Sequence, residues 1–84
     1  MYKIKITQKA KKALLKLPQK TQTKFVELIG GLEQNPKPRG AKKLTNQEGC
    51  RIRVGDWRML YIVDSRKKIV TIVRIGHRRE VYRT

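Results

Sequence analysis

The chain has 84 residues, enough for one small domain with a modest core. Its formal net charge of +16 calls for a polyanionic partner, with nucleic acid first, an acidic protein second and an anionic membrane surface third. No apolar run approaches the roughly 20 residues of a membrane span, and with no signal peptide and only one cysteine, Cys50, a cytoplasmic location is expected.

The first segment predicts a strand followed by a helix. Residues 2–7 alternate between apolar and basic or polar side chains, as in a half-buried strand with a basic outer face. Thr7 can cap the next helix, for which the apolar spacing predicts residues 8–17. Pro18 ends that helix, because proline lacks the N–H group that a helix interior requires.

A second helix and a polar connection follow. Apolar side chains recur at helical spacing through residues 19–34, which predicts a helix antiparallel to the first. Gly30 and Gly31 indicate either a close approach to the sheet or an early end of this helix. Residues 35–48 are expected to be loop and irregular chain, with Leu44 as their anchor to the core.

Three strands joined by hairpins are predicted next, over residues 49–54, 57–63 and 69–75. Residues 55–56 suit a two-residue hairpin turn with glycine first. The last two strands are apolar at both parities, so alternation alone does not decide which face Arg58 occupies.

The order of these elements predicts one α+β domain over residues 1–84. It consists of an N-terminal strand, a two-helix antiparallel hairpin and a three-stranded antiparallel meander, with the helices on one face of a four-stranded twisted sheet. Arg51 and Arg53 are expected on the other face, together with Lys3 and Lys5.

Lysine and arginine are distributed unequally along the chain. Residues up to Cys50 include eleven Lys and one Arg, whereas those from Arg51 onward include eight Arg and two Lys. Lysine is a strongly hydrated point charge, while arginine offers a planar fork that binds phosphate bidentately and stacks on bases. The first half is therefore interpreted as a solvated basic coat, and the second half as a recognition surface.

The second half carries side chains that suit phosphodiester chemistry without a metal ion. One His, one Cys and six scattered carboxylates provide no metal-ligand spacing, so neither a metal nor another cofactor is expected. RNA supplies its own nucleophile, the 2′-hydroxyl, so a protein needs only a base, cations for the phosphorane oxygens and an acid. His77 is the one residue of the type that changes its charge near neutral pH. The candidate cations are Arg51, Arg53, Arg58 and Arg78, and Tyr82 or Tyr61 could contact the substrate.

Structural roles compete with this interpretation. Arginines on an exposed strand face, such as Arg51 and Arg53, are more often solvated charges. Trp57 at a strand start is more often a packing residue than a base-stacking one. Cys50 and Tyr61 are expected to be buried core residues.

The stretches GCRIRVGDWRMLYIVD and VRIGHRREVYR resemble the RelE/ParE superfamily of bacterial and archaeal toxins, and RelE-type toxins in particular. The shared pattern is a basic-x-basic strand, a Gly-containing hairpin, an aromatic-Arg pair and a late Tyr, and the resemblance extends over nearly the whole chain. It implies a RelE-like fold and a ribosome-dependent endoribonuclease that cuts mRNA. It also implies an acidic, RelB-like antitoxin that holds the toxin inactive in a hetero-oligomeric complex.

By the same resemblance, the family's two basic residues on the first hairpin strand correspond to Arg51 and Arg53. Its strand arginine, which stabilises the transition state, corresponds to Arg58. Its tail arginine, the proposed acid, corresponds to Arg78, and its substrate-contacting tail tyrosine corresponds to Tyr82.

One departure from the family pattern concerns the base. The best-known RelE pattern has lysines where Arg51 and Arg53 stand, and a lysine can lose its proton whereas an arginine keeps it. His77 is therefore the expected substitute base. Further RNA contacts are expected from Lys3, Lys5, Arg79 and Arg83.

Two other functions stay open at this point. A ParE-like toxin that inhibits DNA gyrase would share the scaffold without needing the RNA-cutting residues. A catalytically weak relative, which binds RNA or only its antitoxin, would retain the arginines without a competent base.

Overall fold

Within residues 1–44 and 49–77, which the computed structural model describes, the chain forms two helices and five strands. In chain order these are β1 (Lys3–Ile6), α1 (Gln8–Leu15), α2 (Gln19–Gly31), β2 (Lys42–Lys43), β3 (Cys50–Val54), β4 (Trp57–Asp64) and β5 (Ile69–His77). The predicted α+β order of a strand, a helical hairpin and a three-stranded meander is confirmed. Neither described helix has the length and apolar character needed to cross a membrane.

The five strands form one sheet in the order β1-β5-β4-β3-β2. β1 lies parallel to β5, and the other neighbouring strands are antiparallel. The prediction of four strands is wrong, because Lys42–Lys43 pairs with Cys50 and Arg51 of β3 as a fifth strand. Two adjacent lysines show no apolar alternation, so the sequence pattern could not reveal a strand that its pairing with β3 defines.

The helices begin where expected and end earlier. The Thr7 hydroxyl oxygen accepts a hydrogen bond from the Ala10 N–H at 3.1 Å and so caps α1. α1 ends at Leu15, and α2 ends at Gly31. A Cβ atom added at Gly30 or Gly31 would meet nothing within 4 Å. The glycines therefore mark an early helix end and not a close approach to the sheet.

The hydrophobic core lies between the two helices and one face of the sheet, here called the helix face. Side chains with no exposed surface come from both layers: Ala10, Phe25, Leu32, Met59, Tyr61, Val70 and Ile72. Burying a large apolar side chain contributes about 1.5–3 kcal/mol, so this layer contact is the main source of stability. At the edge of the sheet, Tyr2 and Ile4 pack against the core, whereas Ile6 is exposed, unlike the prediction for residues 2–7.

A β-bulge interrupts β5. Leu60 of β4 pairs with Arg74, but the next residue, Tyr61, pairs with Ile72, which leaves Val73 as an extra residue. Strict alternation would place Arg74 on the same side as Ile72, in the core. The extra residue instead moves Arg74 to the face that Leu60 occupies.

Candidate functional site

The face of the sheet opposite the helix face carries the arginines of the first hairpin. Arg53 of β3 lies directly across from Arg58 of β4, and Arg51 lies across from Leu60. Lys42 of β2 pairs with Arg51 on its other side. Since directly paired residues share a face, these side chains form one surface, here called the arginine face.

A concave site of about 260 Å³ lies on this face and is here called the basic pocket. Its lining residues are Gly40, Lys42, Arg51, Arg53 and Arg58. Of these five lining residues that the structure describes, four carry a positive charge and none is acidic, so this part of the site attracts an anion. Arginine forks bind phosphate through two parallel hydrogen bonds, which makes a phosphate group the best-matched ligand.

The hairpin turn sets the register of the pocket arginines. Val54 pairs with Trp57, so only two residues connect β3 and β4. Gly55, the first of them, has a φ of 58°, a conformation that glycine adopts at little cost. This confirms the predicted Gly-first turn and places Arg53 beside Arg58. Arg58 is half-buried and its Nε atom is shielded from solvent, which strengthens its electrostatic interactions.

The loop that leads to the basic pocket is anchored to the core. The Tyr61 hydroxyl, from the helix face, donates a hydrogen bond to the Pro36 carbonyl at 2.8 Å. The Asn35 side-chain oxygen accepts a hydrogen bond from the Lys37 N–H at 3.1 Å and stabilises the same turn. These contacts position the chain that continues to Lys42 at the pocket.

Tyr61 and Cys50 are core residues, as predicted. Because Tyr61 has no exposed surface, it cannot contact substrate directly. Burial raises the pKa of the Tyr61 phenol above its ordinary value of 10, and the neighbouring Cys50 raises it further. The hydroxyl therefore keeps its proton at neutral pH and remains a donor to the loop.

His77 lies at the end of β5. It pairs with Trp57, and the two rings meet edge to face with centroids 5.6 Å apart. Trp57 packs against the core, so both residues belong to the helix-face side. Gly76 pairs with Arg58 on the arginine face, and alternation turns the next residue away. Pairing therefore places His77, the expected substitute base, on the other side of the sheet from Arg58.

The remaining predicted site residues belong to β1 or to the end of the chain. Lys3 and Lys5 are exposed on β1, at the edge of the sheet. Lys5 pairs with Thr71, which pairs in turn with Ile62, so this row continues the arginine face across three strands. The tail candidates lie outside the described residues: Arg78, Arg79, Tyr82 and Arg83.

Comparison with known proteins identifies the family. Residues 4–82 match the family model of the ParE toxin of type II toxin-antitoxin systems. This chain belongs to the RelE/ParE superfamily of toxins. A protein named toxin RelG from Mycobacterium tuberculosis is 32% identical over 84 residues, which covers 98% of this chain and 97% of that protein.

Solved structures of RelE-type toxins share the fold. The matching chain in the RelE–RelB complex from Pyrococcus horikoshii is 30% identical, with a TM-score of 0.77 over 95% of this chain and 98% of that one. A chain of the intact RelBE toxin-antitoxin complex of E. coli is 19% identical, with a TM-score of 0.80 over 92% of this chain and 96% of that one. At the lower identity, the likeness concerns the fold alone.

Two residues on the arginine face of this RelE/ParE toxin were missed by the sequence reasoning. Lys42 lies in a strand of two residues, which gives no periodic pattern. Arg74 follows the bulge at Val73, and its parity from Ile72 suggests the core. The available signal for Arg74 was its charge within a mostly apolar strand, because burying a charged side chain in the core is costly.

Proposed function

We propose that this RelE/ParE toxin is an endoribonuclease that cleaves mRNA on the ribosome, and that the basic pocket holds the phosphate at the cleavage site. The observation that carries the proposal is the pocket itself, in which Arg51, Arg53, Arg58 and Lys42 surround one concave site. The names of the RelE-type relatives support the same assignment.

The proposed reaction is an internal transesterification. The 2′-oxygen of one nucleotide forms a bond to the adjacent phosphorus while the bond from phosphorus to the 5′-oxygen breaks. The 2′-hydroxyl loses a proton to solvent water and the departing 5′-oxygen gains one, which leaves a 2′,3′-cyclic phosphate and a 5′-hydroxyl. Negative charge grows on the non-bridging oxygens, where fixed guanidinium groups stabilise it most.

The residues divide between charge stabilisation and proton delivery. Arg51, Arg53 and Arg58 stabilise the phosphorane, and none of them acts as the base, because a protonated guanidinium cannot accept a proton. By resemblance, Arg78 donates the proton to the leaving oxygen and Tyr82 contacts the substrate. Catalysis by this site depends mainly on orientation of the 2′-hydroxyl and on electrostatic stabilisation.

The proposed protein partner is an acidic, RelB-like antitoxin. Structures of related toxins are those of RelE–RelB complexes. A net charge of +16 favours a partner rich in carboxylates. A segment that orders on binding and lies over the arginine face would neutralise the basic pocket and block RNA, as part of a hetero-oligomeric complex.

Primer-extension mapping of mRNA on programmed ribosomes tests the proposal. Arg58→Ala is expected to lower the cleavage rate about 10²–10³-fold, as loss of one transition-state donor does in other enzymes. Arg66→Ala is the matched control, because it removes the same charge from an exposed turn. Full cleavage by Arg58→Ala, with the control also active, would overturn the proposal. His77→Ala tests whether His77 is the base, as expected from the sequence. Because His77 pairs with Trp57 on the other side of the sheet from the arginine face, this variant is expected to retain cleavage.

A second candidate function is inhibition of DNA gyrase, which the ParE description of the matching family model favours. In that case the toxin would block supercoiling by purified gyrase and leave mRNA on ribosomes intact. Arg58→Ala would not relieve the block. RNA binding that weakens with salt, without cleavage or gyrase inhibition, would instead identify a binding relative.

A further inference from the structure

A further cation, Arg74, lies on the arginine face outside the basic pocket. The sheet register aligns four residues in one row across the strands: Lys42, Arg51, Leu60 and Arg74. Arg51 and Arg74 are two strands apart, which corresponds to roughly 9–10 Å between their backbones. Arg51 lines the pocket and Arg74 does not, so Arg74 lies on the far side of Leu60 from the phosphate site.

The β-bulge is what gives Arg74 this position. Without Val73 as an extra residue, alternation would direct Arg74 toward the core. The bulge is tied to another element, because the Thr7 hydroxyl donates a hydrogen bond to the Val73 carbonyl at 3.2 Å. The same bulge lets Ile75 face the core, where it is 5% exposed. The bulge therefore both packs Ile75 into the core and places Arg74 on the arginine face.

Leu60 is an apolar residue that lies between Arg51 and Arg74 in the same row of the sheet. It lies on the arginine face, yet it is only 8% exposed. Its direct neighbours on both sides are Arg51 and Arg74, whose aliphatic stems can cover it while their guanidinium groups stay in water.

The surface beyond Leu60 continues toward β1. The next row holds Ile62, Thr71 and Lys5. Ile62 is 40% exposed, so an apolar side chain lies in the open in the same row as Lys5. Cations that alternate with apolar surface suit a single-stranded nucleic acid, which presents phosphates on one side and base or ribose surfaces on the other.

We propose that Arg74 is a second phosphate-binding position, and that bound RNA crosses the strands from the basic pocket toward β1. Arg74 holds a phosphate that flanks the cleavage site, and Lys5 extends the same path. Arg74 holds the RNA backbone equally in the ground state and in the transition state, so it contributes to KM and not to kcat. This inference rests on the proposed function.

The test compares Arg74→Gln with Arg66→Gln on programmed ribosomes. Glutamine keeps part of the stem over Leu60, and the control removes the same charge from an exposed turn. Arg74→Gln is expected to raise KM about tenfold, the effect of one lost charged hydrogen bond, with kcat within about twofold of wild type. The slope of log KM against log salt should fall by about 0.7, as for one lost contact to a single strand. Arg58→Ala should show the opposite split, with kcat reduced.

Equal kinetics for Arg74→Gln and Arg66→Gln overturn the inference, and so does a fall in kcat at constant KM. Weaker antitoxin binding by Arg74→Gln with unchanged KM assigns this surface to the antitoxin and also overturns it. Arg74→Lys keeps the charge and should retain most of the affinity, which separates phosphate binding from a folding defect.

A single-stranded RNA that carries 2′-O-methyl groups cannot be cleaved, so its binding distinguishes failure of this inference from failure of the proposed function. If wild type cuts no mRNA but binds this RNA, and Arg74→Gln binds it about tenfold more weakly, the phosphate position stands without the nuclease. If Arg74→Gln binds it as tightly as wild type does, the inference fails whether or not the toxin is a nuclease.

Discussion

The two faces of the sheet differ in chemistry although the same strands build both. On the helix face, Ile52, Met59 and Tyr61 are at most 5% exposed and pack under the helices. On the arginine face, their chain neighbours Arg53 and Arg58 line the basic pocket. Because successive side chains of a strand point to opposite sides, adjacent residues can serve stability and function independently. Substitutions one residue apart should therefore give different phenotypes.

Two features connect the faces. The Tyr61 hydroxyl reaches from the core to the Pro36 carbonyl, in the loop that leads to the pocket. The bulge at Val73 moves Arg74 out of the core, and Thr7 at the start of α1 holds its carbonyl. Substitutions at Tyr61 and Thr7 should therefore affect both the core and the arginine face.

The largest difference in stability is expected between the variants Ile52→Ala and Arg53→Ala. Ile52 is 5% exposed, and its truncation should lower the free energy of unfolding by about 2–5 kcal/mol, as buried Ile-to-Ala changes do. Arg53 is exposed, and its truncation should change stability by less than about 0.5 kcal/mol while RNA cleavage falls. Urea denaturation and ribosome cleavage assays measure both. If Arg53→Ala is as destabilised as Ile52→Ala, the division between the faces is wrong.

A smaller effect is expected from Thr7→Ala. The Thr7 hydroxyl oxygen accepts from the Ala10 N–H and donates to the Val73 carbonyl, so truncation removes a helix cap and a contact to the bulge. The free energy of unfolding should fall by about 1–2 kcal/mol. Thr7→Ser keeps the hydroxyl and should recover most of that loss. A serine variant as unstable as the alanine variant would assign the effect to the methyl group instead.

The smallest effect is expected from Tyr61→Phe. Loss of the 2.8 Å bond to Pro36 should cost about 1 kcal/mol near neutral pH. The raised pKa adds a pH dependence: the buried phenol keeps its proton, while the unfolded chain releases it above pH 10. The stability gained by burying the neutral phenol is therefore fully present below pH 10 and is lost as the pH rises further. Urea unfolding near neutral pH and above pH 10 should show a smaller alkaline loss in Tyr61→Phe than in wild type.

Much of the arginine face could be predicted from local pattern. The alternation of Arg51, Ile52 and Arg53 assigns opposite sides to charge and core, whatever the partner strand. The glycine at position 55 indicates a tight hairpin with β4. Thr7 and the two glycines at the end of α2 indicate the helix ends. These features depend on residues close in the chain, so sequence alone carries them.

The tertiary structure decided the relations between distant segments. Pairing with β4 placed Arg58 beside Arg53, and pairing with β3 made a strand of Lys42–Lys43 at the rim of the pocket. The bulge opposite Leu60 brought Arg74 to the arginine face, and the end of β5 turned His77 away from it. A shift of one residue in register reverses the face of every later side chain. That register is set by hydrogen bonds between strands and by packing on the helices, which no local pattern contains.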